Sequence, residues 1–215
     1  MKRRDFSLAA TAVGLAPWIA APSAHAQAAF KAGTDYLVLP RTVSVDAPAD
    51  KVEVVEFFSY NCPHCAEFEP MLEDWLKKLP PYAAFRRVPV PFVGSDVATK
   101  AKLYYALEAM GKVDTYQPII FKTIHRDRQP LTGDAAVLAW AAKQPDLGTK
   151  FAEVFNSFTV ASKVKRATQL TEDYKVGGVP ALGVAGKWYV DGETARGLPR
   201  ALQVVEFLVG QARKS

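Results

Sequence analysis

The chain has 215 residues, 49% of them hydrophobic and 23% charged, which is the balance of one folded domain with room for an insertion. That composition excludes a disordered tail, a collagen-like repeat and a multi-span membrane protein. Lys and Arg number 27 against 22 Asp and Glu, and Lys2, Arg3, Arg4 and Asp5 hold +2 of the net +5, leaving too small an excess to argue for nucleic acid.

The N-terminus reads as an address. Met1 to Arg4 is positive, Phe6 to Ala21 is apolar but broken by Pro17, and Ser23-Ala24-His25-Ala26 has the small-residue pattern of a cleavage site. Residues 1–26 are therefore expected to be a signal peptide cleaved after Ala26. A membrane anchor fits less well, because a spanning helix needs about 20 apolar residues without a break. Arg3-Arg4-Asp5-Phe6 is similar to a twin-arginine signal, but ordinary export signals also begin with Lys and Arg. Export would place the cysteines in an oxidising compartment.

Tyr36 to Leu39, ahead of Pro40, is expected to be an edge strand. Val52 to Phe58 is almost continuously apolar and predicts a strand buried on both faces. A helix is expected after Pro63, with Phe68, Met71, Leu72, Trp75, Leu76 and Leu79 on its buried side. Glu69, Glu73, Asp74 and Lys77 fall on the opposite side, and Pro70 is expected to kink the helix. Phe85 to Phe92 predicts a second strand, weakened at its end by Pro89 and Pro91.

From Asp96 to about Tyr174 the pattern is helical. Leu103, Ala106, Leu107 and Met110 form a stripe closed by Gly111, Ile119, Ile120 and Ile124 a second, and Val137 to Ala142 a third. Phe151, Val154, Phe155 and Phe158 are assigned to a fourth, as packing rather than cofactor binding. Strands return at Ala181 to Ala185 and Lys187 to Val190 around a turn at Gly186, and Leu198 to Val209 predicts a closing amphipathic helix. The order is that of an α/β core with a helical insertion.

Only two cysteines occur, and they stand in Cys62-Pro63-His64-Cys65 where a buried strand gives way to a helix. Pro63 suits the first helical position, which needs no N–H. Cys62 then faces the unpaired amides and positive dipole end of the helix, which favour a thiolate, and His64 adds charge beside it. Cys65 lies one turn inside, so Cys62 is the expected attacking thiol and Cys65 the resolving one. A structural disulfide is the plain alternative, but so short a loop removes little denatured-state entropy. A zinc site would have only His64 and His125 to add, and no metal is expected. His125, in a polar stretch, is expected to be a solvated surface residue.

Glu56-Phe57-Phe58-Ser59-Tyr60-Asn61 followed by the Cys62–Cys65 tetrad resembles the active-site segment of the DsbA family of periplasmic thiol:disulfide oxidoreductases, in the thioredoxin superfamily. Val93-Gly94, Asn156-Ser157-Phe158 and Gly178-Val179-Pro180-Ala181 continue the likeness over nearly the whole mature chain. The resemblance implies a thioredoxin-like fold, over residues 27–93 and 175–215, with an all-helical domain inserted at 94–174. It implies a cis bond before Pro180, with Val179 and Pro180 holding an extended substrate. It also makes Glu56 a buried acid that assists proton transfer at Cys65. A structural carboxylate paired with a base such as Arg87 is the alternative for Glu56.

The expected function is a dithiol oxidase that donates its Cys62–Cys65 disulfide to reduced, newly exported proteins and needs no other cofactor. The resemblance implies reoxidation by a quinone-linked membrane oxidase of the DsbB type, and the enzyme is expected to act as a monomer. A periplasmic reductase or isomerase and a peptide-binding holdase are the rival readings. No separate dimerisation domain of the isomerase kind is visible, and a holdase would keep its activity without the cysteines.

Overall fold

The computed structural model describes residues 30–214. The expected signal peptide lies outside them. Strand β2 (Val52–Phe58) is an interior strand of a five-stranded sheet, next to one edge. It pairs in parallel with β3 (Ala83–Pro89), which sets Glu56 opposite Arg87 in register. On its other side it pairs antiparallel with β4 (Ala181–Val184), followed by β5 (Trp188–Asp191) and the short edge strand β1 (Leu37–Val38), all antiparallel. This is the mixed α/β sheet of a thioredoxin-like fold, as the family resemblance implied.

Side chains alternate across β2 because successive Cβ atoms point to opposite faces. Val55 and Phe57 enter one core cluster, while Val54 enters a second with Leu72, Leu182 and Val205. Residues 53–58 are all buried, so the strand is covered on both faces. The second cluster is closed by α1 (Pro63–Leu76) and α7 (Leu198–Ala212), which are tied by a hydrogen bond from Trp75 Nε1 to Glu206 Oε1 at 2.8 Å. Helix α1 runs on through Pro70, whose missing N–H deprives only the Ala66 carbonyl of its partner.

The β4–β5 turn is tight. Lys187 N donates to Val184 O at 3.0 Å, and Ala185 and Gly186 take φ of 52° and 65°. Two consecutive positive φ values suit the twist of a hairpin. At Gly186 a Cβ would sit 2.0 Å from the Val43 carbonyl oxygen, so glycine is required there.

Between β3 and β4 the chain forms α2 (Val97–Ala109), α3 (Val113–Phe121), a π-helical turn (Lys122–Arg126), α4 (Gly133–Ala141), α5 (Gly148–Phe155) and α6 (Phe158–Asp173). The single expected helix through Phe158 is two. It breaks at Asn156-Ser157, where Ser157 Oγ accepts from Val160 N at 3.2 Å and caps α6. Phe158 is consequently 87% exposed at the start of α6 instead of packing with Phe151 and Phe155. Met71 likewise faces outward on α1, at the edge of the stripe assigned to the core.

Candidate active site

The sheet delivers the cysteines through one turn. β2 ends at Phe58, and Cys62 N donates to Ser59 O at 3.0 Å. Cys62 is the N-cap of α1 with extended backbone and no capping side chain, and Pro63 opens the helix. The first amides of α1 are therefore left to face the sulfur.

This turn is held from several directions. Tyr60 OH donates to Gln117 Oε1 of α3 at 2.5 Å, and Asn61 Nδ2 donates to Val93 O at 3.0 Å and Ser95 O at 2.7 Å. Gly94, at φ 79°, lies so close that a Cβ there would be 3.0 Å from Asn61 Cβ. His125 Nε2 lies 2.9 Å from Tyr60 O; a carbonyl only accepts, so the ring donates. His125 is thus half-buried against the active-site turn, not a free surface residue. The π-helical turn, closed by Asp127 N to Lys122 O, carries it there. No periodicity in the sequence signals such a turn. Phe58 adds edge-to-face contacts with Tyr60, Tyr104 and Phe121, with centroids 5.1 to 6.3 Å away. Such pairs are each worth about 0.5–1.5 kcal/mol beyond area burial.

Both cysteines are free thiols and both are buried, Cys62 at 5% exposure and Cys65 at 0%. Their acidities are driven apart. The Cys65 thiol donates a hydrogen bond to the Cys62 sulfur, and the backbone amides of Cys65 and His64 add to it, lowering Cys62 from 9.0 to about 6 against the desolvation that opposes it. Burial, and that same bond to Cys62, push Cys65 far above the ordinary thiol range. His64 contributes last: its side chain is 73% exposed and Nδ1 pairs with Glu67 Oε2 at 3.1 Å. The helix end and the second cysteine, more than the imidazole, stabilise the thiolate.

The Cys62 thiol donates to Val179 O at 3.4 Å, and the Val179–Pro180 peptide is cis. Val179 and Pro180 line an open groove of about 530 Å³ with Leu37, His64, Tyr189 and Leu198. The structure thus brings Cys62, Pro63, His64, Cys65, Val179 and Pro180 together at one place. Among the described residues no three His, Cys, Asp or Glu side chains form a metal-holding group.

Residues 53–203 match the DSBA-like thioredoxin domain. The chain belongs to the DSBA-like thioredoxin family. The thiol:disulfide interchange protein DsbA of Burkholderia cepacia is 39% identical over 201 residues, covering 94% of this chain and 93% of that one. Its counterpart in Bordetella pertussis is 38% identical over 208 residues, covering 96% of each chain. The crystal structure of Pseudomonas aeruginosa DsbA superposes with a TM-score of 0.80 at 33% identity, over 86% of this chain and 95% of that one. DsbA from Xylella fastidiosa gives 0.74 at 29% identity, over 86% and 98%. As a DsbA-family member, the protein is a thiol:disulfide oxidoreductase.

Glu56 is 1% exposed on β2, and Arg87 Nε donates to its Oε2 at 3.0 Å. Burial raises it to about 7 despite the guanidinium. Two further carboxyls share that Arg87: Glu69 Oε1 at 2.9 Å and Glu73 Oε1 at 2.6 Å, both from Nη2. Glu69 was assigned to the solvent side of α1, yet it is 3% exposed. The signal was present as Cys65, Glu69 and Glu73 four residues apart, which share one helical face.

Proposed function

We propose that this DsbA-family chain works as a dithiol oxidase in which Cys62 is the exchanging sulfur and Cys65 the resolving one. The observation that carries this reading is the split acidity of the pair, with Cys62 lowered to about 6 and Cys65 raised by burial. A substrate thiolate attacks Cys62 Sγ of the oxidised protein; the Cys62–Cys65 bond breaks and Cys65 leaves with the electron pair. Glu56 supplies the proton that a buried Cys65 requires. A second substrate thiolate then attacks its partner sulfur in the mixed disulfide, and Cys62 departs as a thiolate. The substrate gains a disulfide and the protein becomes the dithiol. A low thiol pKa makes a good leaving group, so the arrangement serves donation.

Pro63 sets the helix start, His64 adds charge at its mouth, and the groove at Val179 and Pro180 takes the extended substrate chain. The Cys62–Cys65 disulfide is the redox group, and no further cofactor is invoked. We further propose a chain exported to the periplasm after cleavage at Ala26, with residues 27–93 and 175–215 as scaffold and 94–174 as inserted helical domain. Reduced, unfolded exported proteins are its substrates, a DsbB-type quinone oxidase restores the disulfide, and the enzyme acts as a monomer. The experiment is equilibration of the mature protein with glutathione, alongside oxidation of a reduced unfolded protein. An oxidising potential, with oxidation abolished in Cys62→Ser, is expected. A thioredoxin-like potential would make the protein a reductase, and unchanged activity without both cysteines would make it a peptide holder.

A further inference from the structure

Beneath the active-site helix, one guanidinium meets three carboxyls. Arg87 reaches Glu56 through Nε and both Glu69 and Glu73 through a single nitrogen, Nη2. The side chains of Arg87, Glu56 and Glu69 are 5%, 1% and 4% exposed, whereas that of Glu73 is 38% exposed and reaches solvent. One cation balances one carboxylate. Of the two buried carboxyls, Glu56 and Glu69, one is left without a compensating charge, and a buried site cannot carry it without a large desolvation penalty, so a proton must stay in the cluster. The bonding says the same. Glu69 Oε2 is buried with no hydrogen-bond partner, and both Glu69 and Glu73 lean on the same Nη2 of Arg87. A buried carboxylate oxygen without a donor is costly while ionised, and a proton removes that cost.

We infer that Arg87, Glu56, Glu69 and Glu73 form a single proton-holding cage, in which Glu69 and Glu73 compete with Glu56 for the guanidinium and thereby keep a proton on Glu56 for Cys65. This rests on the proposed role of Glu56 as donor to Cys65. Glu69 and Glu73 are positioning residues; neither contacts the sulfurs. Burial first, then the charge of Glu56, raises Glu69 to about 8, and Glu56 itself is among the groups that act on Cys65. The remaining groups facing the cage are accounted for. Tyr60 and Tyr104 are buried with their hydroxyls raised well above 10, so they stay neutral. Glu67, Lys122, His125 and Arg126 line the cleft beside Glu69, but Glu67 is paired with His64, Lys122 with Asp127 and His125 with Tyr60, and Arg126 is exposed to solvent. Arg87 is thus the cation that the carboxyls divide.

The test is a carbon-13 NMR titration of the glutamate carboxyls in the reduced mature chain, run beside the pH profile for reduction of the oxidised protein by a peptide dithiol. Wild type is expected to show two coupled steps above the ordinary carboxylate range. Glu69→Gln should leave one step, lower by about one unit, because a competitor for Arg87 is gone. Glu73→Gln, at the exposed corner where folding is safest, should move Glu56 in the same direction. The reduction profile should follow, with up to about tenfold slower reduction above the new midpoint. An unmoved Glu56 in both folded variants overturns the cage, as does a moved Glu56 with an unchanged profile. Glu56→Gln separates the two readings. If it leaves the profile of wild type intact, the donor assignment fails, and with it the delivery to Cys65. If it abolishes the transition while Glu69→Gln and Glu73→Gln change nothing, only the cage fails.

Discussion

The ring of His125 is bonded to the carbonyl oxygen of Tyr60, two residues before Cys62, at 2.9 Å. That carbonyl belongs to the central peptide of the Ser59–Cys62 turn, whose own hydrogen bond does not use it. A residue between α3 and α4 therefore completes the turn that begins α1. His125→Ala is expected to cost about 1 kcal/mol, read as a lower urea midpoint, because a half-buried carbonyl loses its donor. Faster hydrogen exchange at the Cys62 amide should accompany it. An unchanged midpoint with unchanged exchange would mean that water replaces the ring without loss.

The Cys62 thiolate should depend on its partner thiol more than on His64. Cys65→Ala removes the hydrogen bond that lowers Cys62 most, whereas Cys65→Ser keeps a hydroxyl donor in its place. Hydrogen bonds to charged groups are worth about 1.5–3 kcal/mol, so the alanine variant is expected to titrate about one unit or more above wild type. Thiolate absorbance reads this directly. Equal midpoints in the alanine and serine variants would assign the whole effect to the helix end.

His64→Ala is expected to move the same midpoint upward by less than the alanine change at Cys65. The imidazole is exposed, engaged with Glu67, and the smallest of the named influences on Cys62. Raising the salt concentration should shrink the His64 effect and leave that of Cys65 in place. The reverse order of the two shifts would restore His64 as the main source of acidity.

The sheet and the tetrad were legible because both rest on local pattern. A run of β-branched and aromatic residues over 52–58 has few alternatives to a buried strand, and Pro63 marks a helix start. Glu56 opposite Arg87 was readable as a guess, since adjacent strands bring such a pair into register. What escaped depends on where helices meet. The burial of Glu69 is decided by Arg87 on another element, and apolar periodicity puts charged residues outside by default. His125 arrives through a π-helical turn that breaks the helical period. Phe158 was misplaced because its spacing from Phe151 and Phe155 continues a stripe that the cap at Ser157 interrupts.

The acidity of Cys62 also makes the reduced form respond to pH in a way the oxidised form does not. In the folded dithiol this thiol titrates near 6 instead of 9.0. Between those values the unfolded chain binds more protons at this site, so its contribution to stability grows as pH rises and is lost as pH falls through about 6. Glu56 and Glu69, raised to about 7 and 8, act with the opposite sign: their contribution is complete below the ordinary carboxylate range and is lost as pH rises through those values. They are present in both redox forms, whereas the Cys62 thiolate exists only in the dithiol. Subtracting one form's stability from the other's therefore isolates the thiol. The difference, from urea unfolding of the two forms, is expected to favour the dithiol increasingly from pH 6 to 8.5, with a slope of at most about 1.4 kcal/mol per pH unit. Above pH 9 the trend should reverse, because Cys65 holds its proton in the folded state where the unfolded chain gives it up. A flat difference between pH 6 and 8.5 would show that Cys62 is not acidic in the folded dithiol, and the case for disulfide donation would fall with it.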